Sequence, residues 1–496
     1  MKLDENVCDQ ARLARDARFD GRFFIGVLST GIYCRPICPS PTSKRENVRF
    51  FDSAAAAVEA GFRPCLRCRP EVAPGTPAWS GTSTTVTRAL RLIAEGALDE
   101  SGIEGLSARL GVSSRHLHRL FLLHLGASPG AVAQTRRLHF AKQLVSDTNL
   151  PMHRVAQASG FRSVRRFNDS IRRLYGRTPS ELRRLRPSAV RARADEYVFR
   201  LPYRPPYDWE SLLAFLARRA IPGVEEVASG VYRRSFALEG RHGMAEIRHD
   251  EKAHALEARI RFGEPLSLLP IVTRLRAMFD LAADTSAIGQ HFRGDPLMGP
   301  LVEKYPGLRV PGAWDGFELA VRAILGQQVS VAAASTVAGQ LAGKFGERLS
   351  VSDPGGLTHV FPAPDALADA VLAGMPRSRA RAIRDLARAV VSGDVTLSAA
   401  DEDPMAGLAR IRGIGHWTAQ YIAMRALREP DAFPVNDLGL LRAAGGDFPM
   451  TAAQLRDLAE RWRPWRAYAA IYLWRAASER AQNSPSSGPE RKVARR

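Results

Sequence analysis

Two groups of residues in this sequence have the types and spacing that could support chemistry, and the first consists of cysteines. All five cysteines lie within the first 68 residues. Four of them form the pattern C-x3-C and C-x2-C, namely Cys34, Cys38, Cys65 and Cys68, whereas Cys8 lies outside it and is expected to be an ordinary free thiol. Two close pairs are typical of four thiolates around a tetrahedral Zn2+ ion, and a redox or disulfide role is the alternative. The spacing therefore predicts a zinc site whose binding would help this small module to fold.

The second group lies between Leu408 and Asp437, in the segment LARIRGIGHWTAQYIAMRALREPDAFPVND. A helical pattern breaks at Gly413 and Gly415 and resumes from about Trp417. Two glycines so close together let the backbone turn tightly, and the next helix begins with free N–H groups that suit an anion such as a DNA phosphate. Asp437 stands at the predicted start of a further helix, where a carboxylate is either a helix cap or a group for catalysis.

This segment resembles the helix-hairpin-helix and Gly/Pro-rich loop (HhH-GPD) superfamily of DNA base-excision glycosylases, and in particular its AlkA-like 3-methyladenine DNA glycosylase II branch. The resemblance extends over roughly Tyr197 to Ala477, through WDGFELAVRAILGQQVS (314–330) and ERWRPWRAYAAIYLW (460–474). It implies hydrolysis of the N-glycosidic bond of an alkylated purine that has been flipped out of duplex DNA. Asp437 would stabilise the oxocarbenium character of the sugar and orient water.

The same resemblance assigns further residues in this half. Trp417, Tyr421 and Trp474 match aromatic positions of the base pocket, where electron-poor purines would stack; ordinary core aromatics are the alternative. Asn436 and Leu438 depart from the aspartate and tyrosine of the family prototype, which leaves the pocket lining and the range of bases open. The predicted DNA contacts are Arg412, Gly413, Gly415 and His416 at the hairpin, with Gln327 and Gln328 near the gap left by a flipped base.

The position of Trp417 also bears on the reaction. Members of the superfamily that cleave the DNA strand carry a lysine two residues after the second hairpin glycine, where it forms a Schiff base. This chain has Trp417 there. We therefore expect a monofunctional glycosylase that uses water and leaves an abasic site.

The cysteine-rich region resembles the N-terminal domain of Ada, the alkylation-response protein, through GIYCRPICPSPTSKRENVRFF and EAGFRPCLRCRP. The resemblance implies that Cys34 accepts a methyl group from a DNA phosphotriester, since a zinc-bound thiol stays deprotonated and the thiolate is the nucleophile. Loss of one negative charge on methylation would strengthen binding to phosphates. A closed, purely structural zinc site is the alternative.

Two helix-turn-helix patterns follow, GLSARLGVSSRHLHRLFLLHLG (105–126) and MHRVAQASGFRSVRRFNDSIRRLYG (152–176). In each, a glycine turn and a serine cap precede a second helix, and the duplication resembles the AraC-type DNA-binding domain. The second helices would enter the major groove, and phosphate contact is the alternative for every candidate. The candidate DNA-reading residues are Ser114, Arg115 and His118 in the first unit and Arg162, Arg165 and Arg166 in the second.

Composition and charge agree with a nucleic-acid partner. The 496 residues carry a formal charge of +20, and residues 1–200 hold 33 Lys+Arg against 18 Asp+Glu. Such an excess favours a polyanion, here double-stranded, alkylated DNA. Because about 18 consecutive apolar residues are not found, we expect no membrane association and a cytoplasmic, nucleoid-associated protein. RNA polymerase is a candidate partner of the regulatory half.

These patterns predict a multidomain α+β protein. The expected order is a four-cysteine zinc domain (1–76), an all-α double helix-turn-helix domain (83–186), a small α+β sheet domain with a structural role (197–294), an all-α HhH-GPD glycosylase domain (295–480) and a disordered basic tail (481–496).

We interpret the chain as a glycosylase for alkylated purines fused to a methyl-damage sensor and DNA reader. A DNA-binding regulator with an inactive glycosylase half is one alternative, and a lyase for oxidised bases is another. Direct reversal of base methylation would need a further cysteine to accept the methyl group. No cysteine follows Cys68, so this activity is not expected.

Overall fold

A computed structural model describes residues 4–74, 84–94, 96–185, 195–350, 353, 355–397, 404–446 and 448–483. Four units follow one another as expected, and the predicted multidomain α+β fold class is confirmed. Within the described ranges, no helix is long and apolar enough to cross a membrane.

The first unit is a small sheet with two helices. Residues Phe24, Tyr33, Phe51 and Phe62 pack its core. The strand order is β3-β1-β2-β4, antiparallel except for the parallel pair β2 and β4. Its elements are α1 (Glu5–Leu13), β1 (Phe24–Val27), β2 (Ile32–Cys34), β3 (Val48–Phe51), α2 (Ala54–Glu59) and β4 (Arg63–Pro64).

The second unit is all-helical and contains both helix-turn-helix motifs. The side chains of Ser113 and Ser163 accept hydrogen bonds from N–H groups in the first turns of α5 and α8, and Gly126 and Gly176 end these helices with φ of +66° and +67°. The elements are α3 (Thr84–Ala94), α4 (Ala97–Arg109), α5 (Ser114–Leu125), α6 (Pro129–Asp147), α7 (Met152–Ala158), α8 (Val164–Tyr175) and α9 (Pro179–Arg184).

The third unit is a five-stranded antiparallel sheet in the order β5-β9-β8-β7-β6. Alternating residues of β9 are buried, as expected for a sheet with one face against a core. The elements are β5 (Glu196–Pro202), α10 (Trp209–Ala217), β6 (Glu225–Ala228), β7 (Val231–Leu238), β8 (Arg241–Asp250), β9 (Ala255–Phe262) and α11 (Leu268–Met278).

The fourth unit is helical, and its core already includes Ile288 and Phe292 from the helix before residue 295. The last helix runs to Asn483, so residues 481–483, predicted as tail, are helical instead; the rest of that predicted tail lies outside the described residues. The elements are α12 (Thr285–Phe292), α13 (Met298–Lys304), α14 (Gly316–Leu325), α15 (Val331–Phe345), α16 (Pro364–Ala368), α17 (Arg377–Val391), α18 (Pro404–Ala409), α19 (His416–Arg425), α20 (Leu438–Gly445), α21 (Ala452–Ala459) and α22 (Arg466–Asn483).

The second and third units share one hydrophobic core, which the sequence did not predict. Side chains of α6, α7 and α8 pack in the same cluster as the inner face of the five-stranded sheet. The rings of Phe140 and Phe199 stack across the boundary with centroids 6.3 Å apart. The second helix-turn-helix motif and the sheet domain are therefore packed around one core, whereas α3, α4 and α5 form a separate core.

Arginines join the units elsewhere. The fully buried Arg204 donates from Nε to the carbonyl oxygen of Asp20 at 2.8 Å and from Nη1 to that of Ala282 at 2.6 Å. Arg91 of α3 donates to the carbonyl oxygens of Leu427 at 2.9 Å and Arg428 at 2.7 Å, just after α19. These bonds tie the first and second units to the half that contains the hairpin.

Candidate active site and nucleic-acid interface

The hairpin joins α18 to α19. Gly413 has a φ of +100°, a conformation that side-chain-bearing residues rarely adopt, so the turn requires glycine there. Gly415 is the N-cap of α19, and the helix begins at His416. Arg412, Gly413, Gly415 and His416 are all exposed. The first amides of α19 therefore open to the surface, where a phosphate could accept hydrogen bonds.

Asp437 caps α20 and at the same time faces two tryptophans. Its Oδ1 accepts hydrogen bonds from the backbone N–H of Leu440 at 3.0 Å and from Nε1 of Trp474 at 2.9 Å. Its Oδ2 accepts from Nε1 of Trp417 at 2.9 Å. One carboxylate thus serves as a helix cap and as an oriented anion, so the two interpretations of Asp437 do not exclude each other.

The three aromatic residues predicted for the pocket lie together beside Asp437. Trp417 and Tyr421 stack with centroids 5.3 Å apart and planes 10° apart, because they are one helical turn apart on α19. Trp474 of α22 lies with its centroid 6.1 Å from that of Tyr421. They line a cavity of about 290 Å³ with Arg219, Leu319, Arg322, Ala323, Gly326, Val329, Val331, Ala334, Ser335, Arg425 and Asp437.

Three arginines surround Tyr421, and no pattern in the sequence predicted them. Nη1 of Arg425 lies 2.7 Å from the phenolic oxygen. Burial raises the pKa of Tyr421, but Arg425, Arg219 and Arg322 outweigh it and the pKa falls to about 8. Arg219 follows α10 of the sheet unit, for which we expected only a structural role, yet it lines the cavity.

The two glutamines before α15 are placed differently. Nε2 of Gln327 donates to the carbonyl oxygen of Gly413 at 2.8 Å and contacts Oγ1 of Thr418 at 3.0 Å, so its side chain braces the hairpin. Arg379 donates to the backbone carbonyl of Gln327. Gln328 is exposed and has a φ of +57°, which is uncommon for a residue with a side chain. Of the two, Gln328 has the exposed side chain, and its entry into a gap in DNA stays a prediction.

The cysteines come together as a metal site. The Sγ atoms of Cys34, Cys38, Cys65 and Cys68 all lie within 4.8 Å of one another. Because the thiols share hydrogen bonds, the pKa values of Cys38 and Cys65 are lowered and those of Cys34 and Cys68 are raised. Four converging sulfurs are the donor set that Zn2+ prefers in tetrahedral sites, so the residues fit the predicted cofactor.

The surroundings distinguish these cysteines from Cys8. Cys34 and Cys38 are partly exposed and line a cavity of about 290 Å³, whereas Cys68 is buried and its Sγ accepts a hydrogen bond from the backbone N–H of Arg35 at 3.3 Å. Cys8 is buried apart from the cluster, and burial raises the pKa of its thiol to about 12. A reagent in the cavity can therefore reach Cys34.

The predicted DNA-reading residues lie where each helix-turn-helix motif presents its second helix. Ser114 is the first residue of α5, and Arg115 and His118 are exposed in its first turns. The second motif presents Arg162 just before the Ser163 cap, and Arg165 and Arg166 in the first turn of α8, all exposed. This placement suits groove entry by the helix N-termini, and base contact stays a prediction.

Comparisons with known proteins match all four units. The family models are the metal binding domain of Ada (residues 7–71), a helix-turn-helix domain (106–185), the AlkA N-terminal domain (198–315) and the HhH-GPD superfamily base excision DNA repair protein (321–466).

Three relatives agree with these matches. The "Probable bifunctional transcriptional activator/DNA repair enzyme AlkA" of Mycobacterium tuberculosis is 40% identical over 502 residues, covering 100% of both chains. "DNA-3-methyladenine glycosylase 2" of Escherichia coli is 38% identical over 285 residues, covering 56% of this chain and 96% of that protein. "Bifunctional transcriptional activator/DNA repair enzyme Ada" of Escherichia coli is 41% identical over 128 residues, covering 26% of this chain and 35% of that protein. The chain therefore belongs to the family of bifunctional transcriptional activator/DNA repair enzymes in which an Ada-type zinc and helix-turn-helix region precedes an AlkA-type HhH-GPD glycosylase region.

Proposed function

We propose that the helical half hydrolyses the N-glycosidic bond of alkylated purines of the 3-methyladenine type in duplex DNA. The observation that carries this proposal is the Asp437 carboxylate, fixed by the indole N–H groups of Trp417 and Trp474 at the edge of an aromatic cavity. A flipped base stacks against Trp417 and Tyr421, the hairpin amides hold the phosphate backbone, and Gln328 fills the space that the base has left.

The reaction follows from the charge of Asp437. As the bond from the sugar to the base breaks, its electron pair leaves with the base and positive charge develops on the sugar. A fixed carboxylate stabilises that charge without having to reorganise. The oxygen of water then bonds to the sugar, and its proton passes to Asp437 or to solvent. Since Trp417 occupies the place of a Schiff-base lysine and donates to Asp437, the product is an intact strand with an abasic site.

The experiment compares release of free bases from methylated duplex DNA by the natural chain and by Asp437→Asn. Asparagine caps helices as well as aspartate does, so the variant keeps the cap of α20 and loses the charge, while its amide nitrogen no longer accepts from Trp417 as Oδ2 does. We expect release to fall about 100-fold or more. Asp315→Asn is the matched control, because Asp315 caps α14 by accepting from the N–H of Glu318 at 3.0 Å and does not line the cavity.

Equal release by the natural chain and Asp437→Asn would refute the catalytic assignment. No release by the natural chain while it still binds DNA would favour a regulator with an inactive glycosylase half. A covalent enzyme–DNA adduct after borohydride treatment would contradict hydrolysis by water and favour a lyase.

For the regulatory half, we propose that Cys34 accepts a methyl group from a DNA phosphotriester, as the resemblance to Ada implies; the cavity that Cys34 lines with Cys38 and Cys65 gives access to the cluster. Zn2+ held by Cys34, Cys38, Cys65 and Cys68 would keep their sulfurs deprotonated. The sulfur of Cys34 forms a bond to the methyl carbon, the bond from that carbon to the phosphate oxygen breaks, and a phosphodiester anion leaves. Mass spectrometry should find one added methyl on the peptide containing Cys34, in the natural chain and in Cys8→Ser but not in Cys34→Ser; an unmodified peptide would indicate a structural site only.

The same half is proposed to bind duplex DNA through Ser114, Arg115 and His118 and through Arg162, Arg165 and Arg166. Substitution of a base-reading arginine should lower affinity for one sequence only, whereas loss of a phosphate contact should lower affinity for all sequences and reduce its salt dependence. Recruitment of RNA polymerase by this half stays a prediction, and transcription in vitro with the purified chain would test it.

A further inference from the structure

We propose that the cavity where the first three units meet binds a small organic anion, and that Arg276 recognises its acidic group. The ligand would carry one acidic group on an apolar body. The cavity shares no lining residue with the aromatic cavity beside Asp437 or with the cavity beside the zinc ligands. It is therefore a site of its own, and its occupation does not depend on the proposed base excision.

The cavity has a volume of about 270 Å³ and is lined by three units. The first unit contributes the start of α2 and the segment that follows its zinc ligands. The second unit contributes mainly α6, and the third contributes β5 and α11. A molecule bound there would contact all three units at once, so its binding would favour their association.

Arg276 of α11 lines this cavity with a guanidinium that lacks an acceptor. Its Nη2 is buried and has no hydrogen-bond partner among the described residues. Burial and the positive charges of Arg136 and Arg35 lower its pKa to about 10, so it remains a cation at neutral pH. Arg35 does not line the cavity and is paired with the carboxylate of Asp20 at 2.8 Å. A buried charge without a partner is costly, and an anion is the group that offsets this cost.

Two further arginines bring positive charge to the cavity wall. Arg136 of α6 donates from Nη1 to the carbonyl oxygen of Ile93 at 2.9 Å and from Nη2 to Oγ1 of Thr273 at 2.8 Å. These acceptors hold the guanidinium in place but carry no formal charge. Arg200 of β5 lies 3.8 Å from a carboxylate oxygen of Asp250, and because both side chains are exposed this contact is weak. The arginines therefore give the wall an excess of positive charge.

The other ionisable groups of the wall do not cancel this charge. Among the described lining residues, Glu71 is the one carboxylate, and its Oε1 accepts from Nζ of Lys142 at 2.7 Å and from Nε of Arg69 at 3.1 Å. Its Oε2 has no described partner and can accept a hydrogen bond from an occupant. Burial lowers the pKa of His139 to about 4, so this ring is neutral near pH 7.

The rest of the wall is mainly apolar, and this decides the class of anion. Phe24 of β1, Phe140 of α6 and Val272 of α11 are among the buried side chains that line it. An inorganic anion would contact the guanidinium groups and leave these apolar surfaces uncovered. An anion with an apolar body would also gain from burial of that body. Organic carboxylates and organic phosphate monoesters have both features.

The binding test uses two fluorescent dyes that differ in charge. Anilinonaphthalene sulfonate is an anion with an apolar body, and phenylnaphthylamine has the same body without the acidic group. Each dye is titrated into the full zinc-loaded chain with excess duplex DNA, which occupies the DNA-binding surfaces. We expect one sulfonate dye per chain, bound at least about 10-fold more tightly than the neutral dye.

Arg276→Met removes the guanidinium and keeps a side chain of similar length. It should weaken binding of the sulfonate dye by about 10- to 100-fold and leave binding of the neutral dye unchanged. Arg274→Met is the matched control, because Arg274 lies on the same helix over the ring of Trp314 and does not line the cavity. If Arg276→Met does not fold, Leu269→Trp replaces it; the larger side chain fills the cavity and should block both dyes.

Competition then identifies the acidic group. Octanoate or phenyl phosphate should displace the sulfonate dye, and the stronger competitor distinguishes a carboxylate from a phosphate; octanol, which has no charge, should not displace it. The inference is overturned if Arg276→Met binds the sulfonate dye as tightly as Arg274→Met does. It is also overturned if both dyes bind the natural chain equally, if neither binds, or if Leu269→Trp binds them undiminished. None of these measurements involves base release, so they stand apart from the tests of the glycosylase.

Discussion

Replacement of the first hairpin glycine provides a sharp test of the nucleic-acid interface. In Gly413→Ala, the residue keeps a φ of +100° only under strain, and its new Cβ would lie 2.9 Å from the Cβ of Ala382. A left-handed conformation costs an L-residue about 1–2 kcal/mol before the collision with α17 is added. For a unit of this size, that cost lowers the melting temperature by about 2–8 °C.

Gly415→Ala is the matched control, because Gly415 is also exposed in the hairpin but has a φ of −83° and open space around its Cβ position. Alanine is a poorer N-cap than glycine, so a loss below about 1 kcal/mol is expected. Differential scanning calorimetry gives the melting temperatures, and fluorescence anisotropy with a duplex containing an abasic analogue gives the affinities.

If DNA binding requires the native conformation of the hairpin, the strain in Gly413→Ala should weaken binding by about 5- to 30-fold. Gly415→Ala should weaken binding by much less. Equal losses in the two variants, or a larger loss for Gly415→Ala, would refute the argument from backbone conformation. They would indicate instead that any side chain on the hairpin obstructs the phosphate.

Three further predictions concern zinc, the contact between units and pH. Chelation of zinc should unfold the first unit, as should Cys65→Ser, whereas Cys8→Ser should leave zinc content unchanged; metal analysis and circular dichroism measure this. Arg204→Met should leave the buried carbonyls of Asp20 and Ala282 without their donor, at a cost of about 3 kcal/mol or more, and calorimetry should then show the first unit melting separately. Because the pKa of Tyr421 is lowered from 10 to about 8, its ionisation adds to the free energy of unfolding above pH 8, fully by about pH 10. This added stability is lost as the pH falls through 8. Urea unfolding should show that Tyr421→Phe lacks this dependence on pH.

The sequence was informative wherever function depends on local spacing. The zinc ligands, the hairpin glycines and the cap position of Asp437 are short-range patterns, and Trp417 and Tyr421 are one helical turn apart. The charge environment of the cavity could not be predicted from the sequence, since Arg219, Arg322 and Arg425 come from three separate parts of the chain. Their approach depends on how the sheet unit packs against α14 and α19, which periodicity does not encode.

The contact between the helix-turn-helix region and the sheet was missed for a related reason. A helical pattern in the sequence indicates that one face of a helix is buried but does not identify the surface that covers it. The side chain of Phe140 stacks on Phe199, which belongs to the next unit along the chain. We expected separate domains over residues 83–186 and 197–294, and the core that their side chains share was not predicted.

The shared core affects how the protein is synthesised and degraded in the cell. Because α6, α7 and α8 and the sheet bury their apolar faces against each other, separating them would expose both faces to water and to proteases. Synthesis and turnover then act on the whole polypeptide, and a mutation that loosens either side shortens the lifetime of both. The number of DNA readers and the number of glycosylase centres stay equal at every expression level, a fixed stoichiometry that two separate genes would have to regulate.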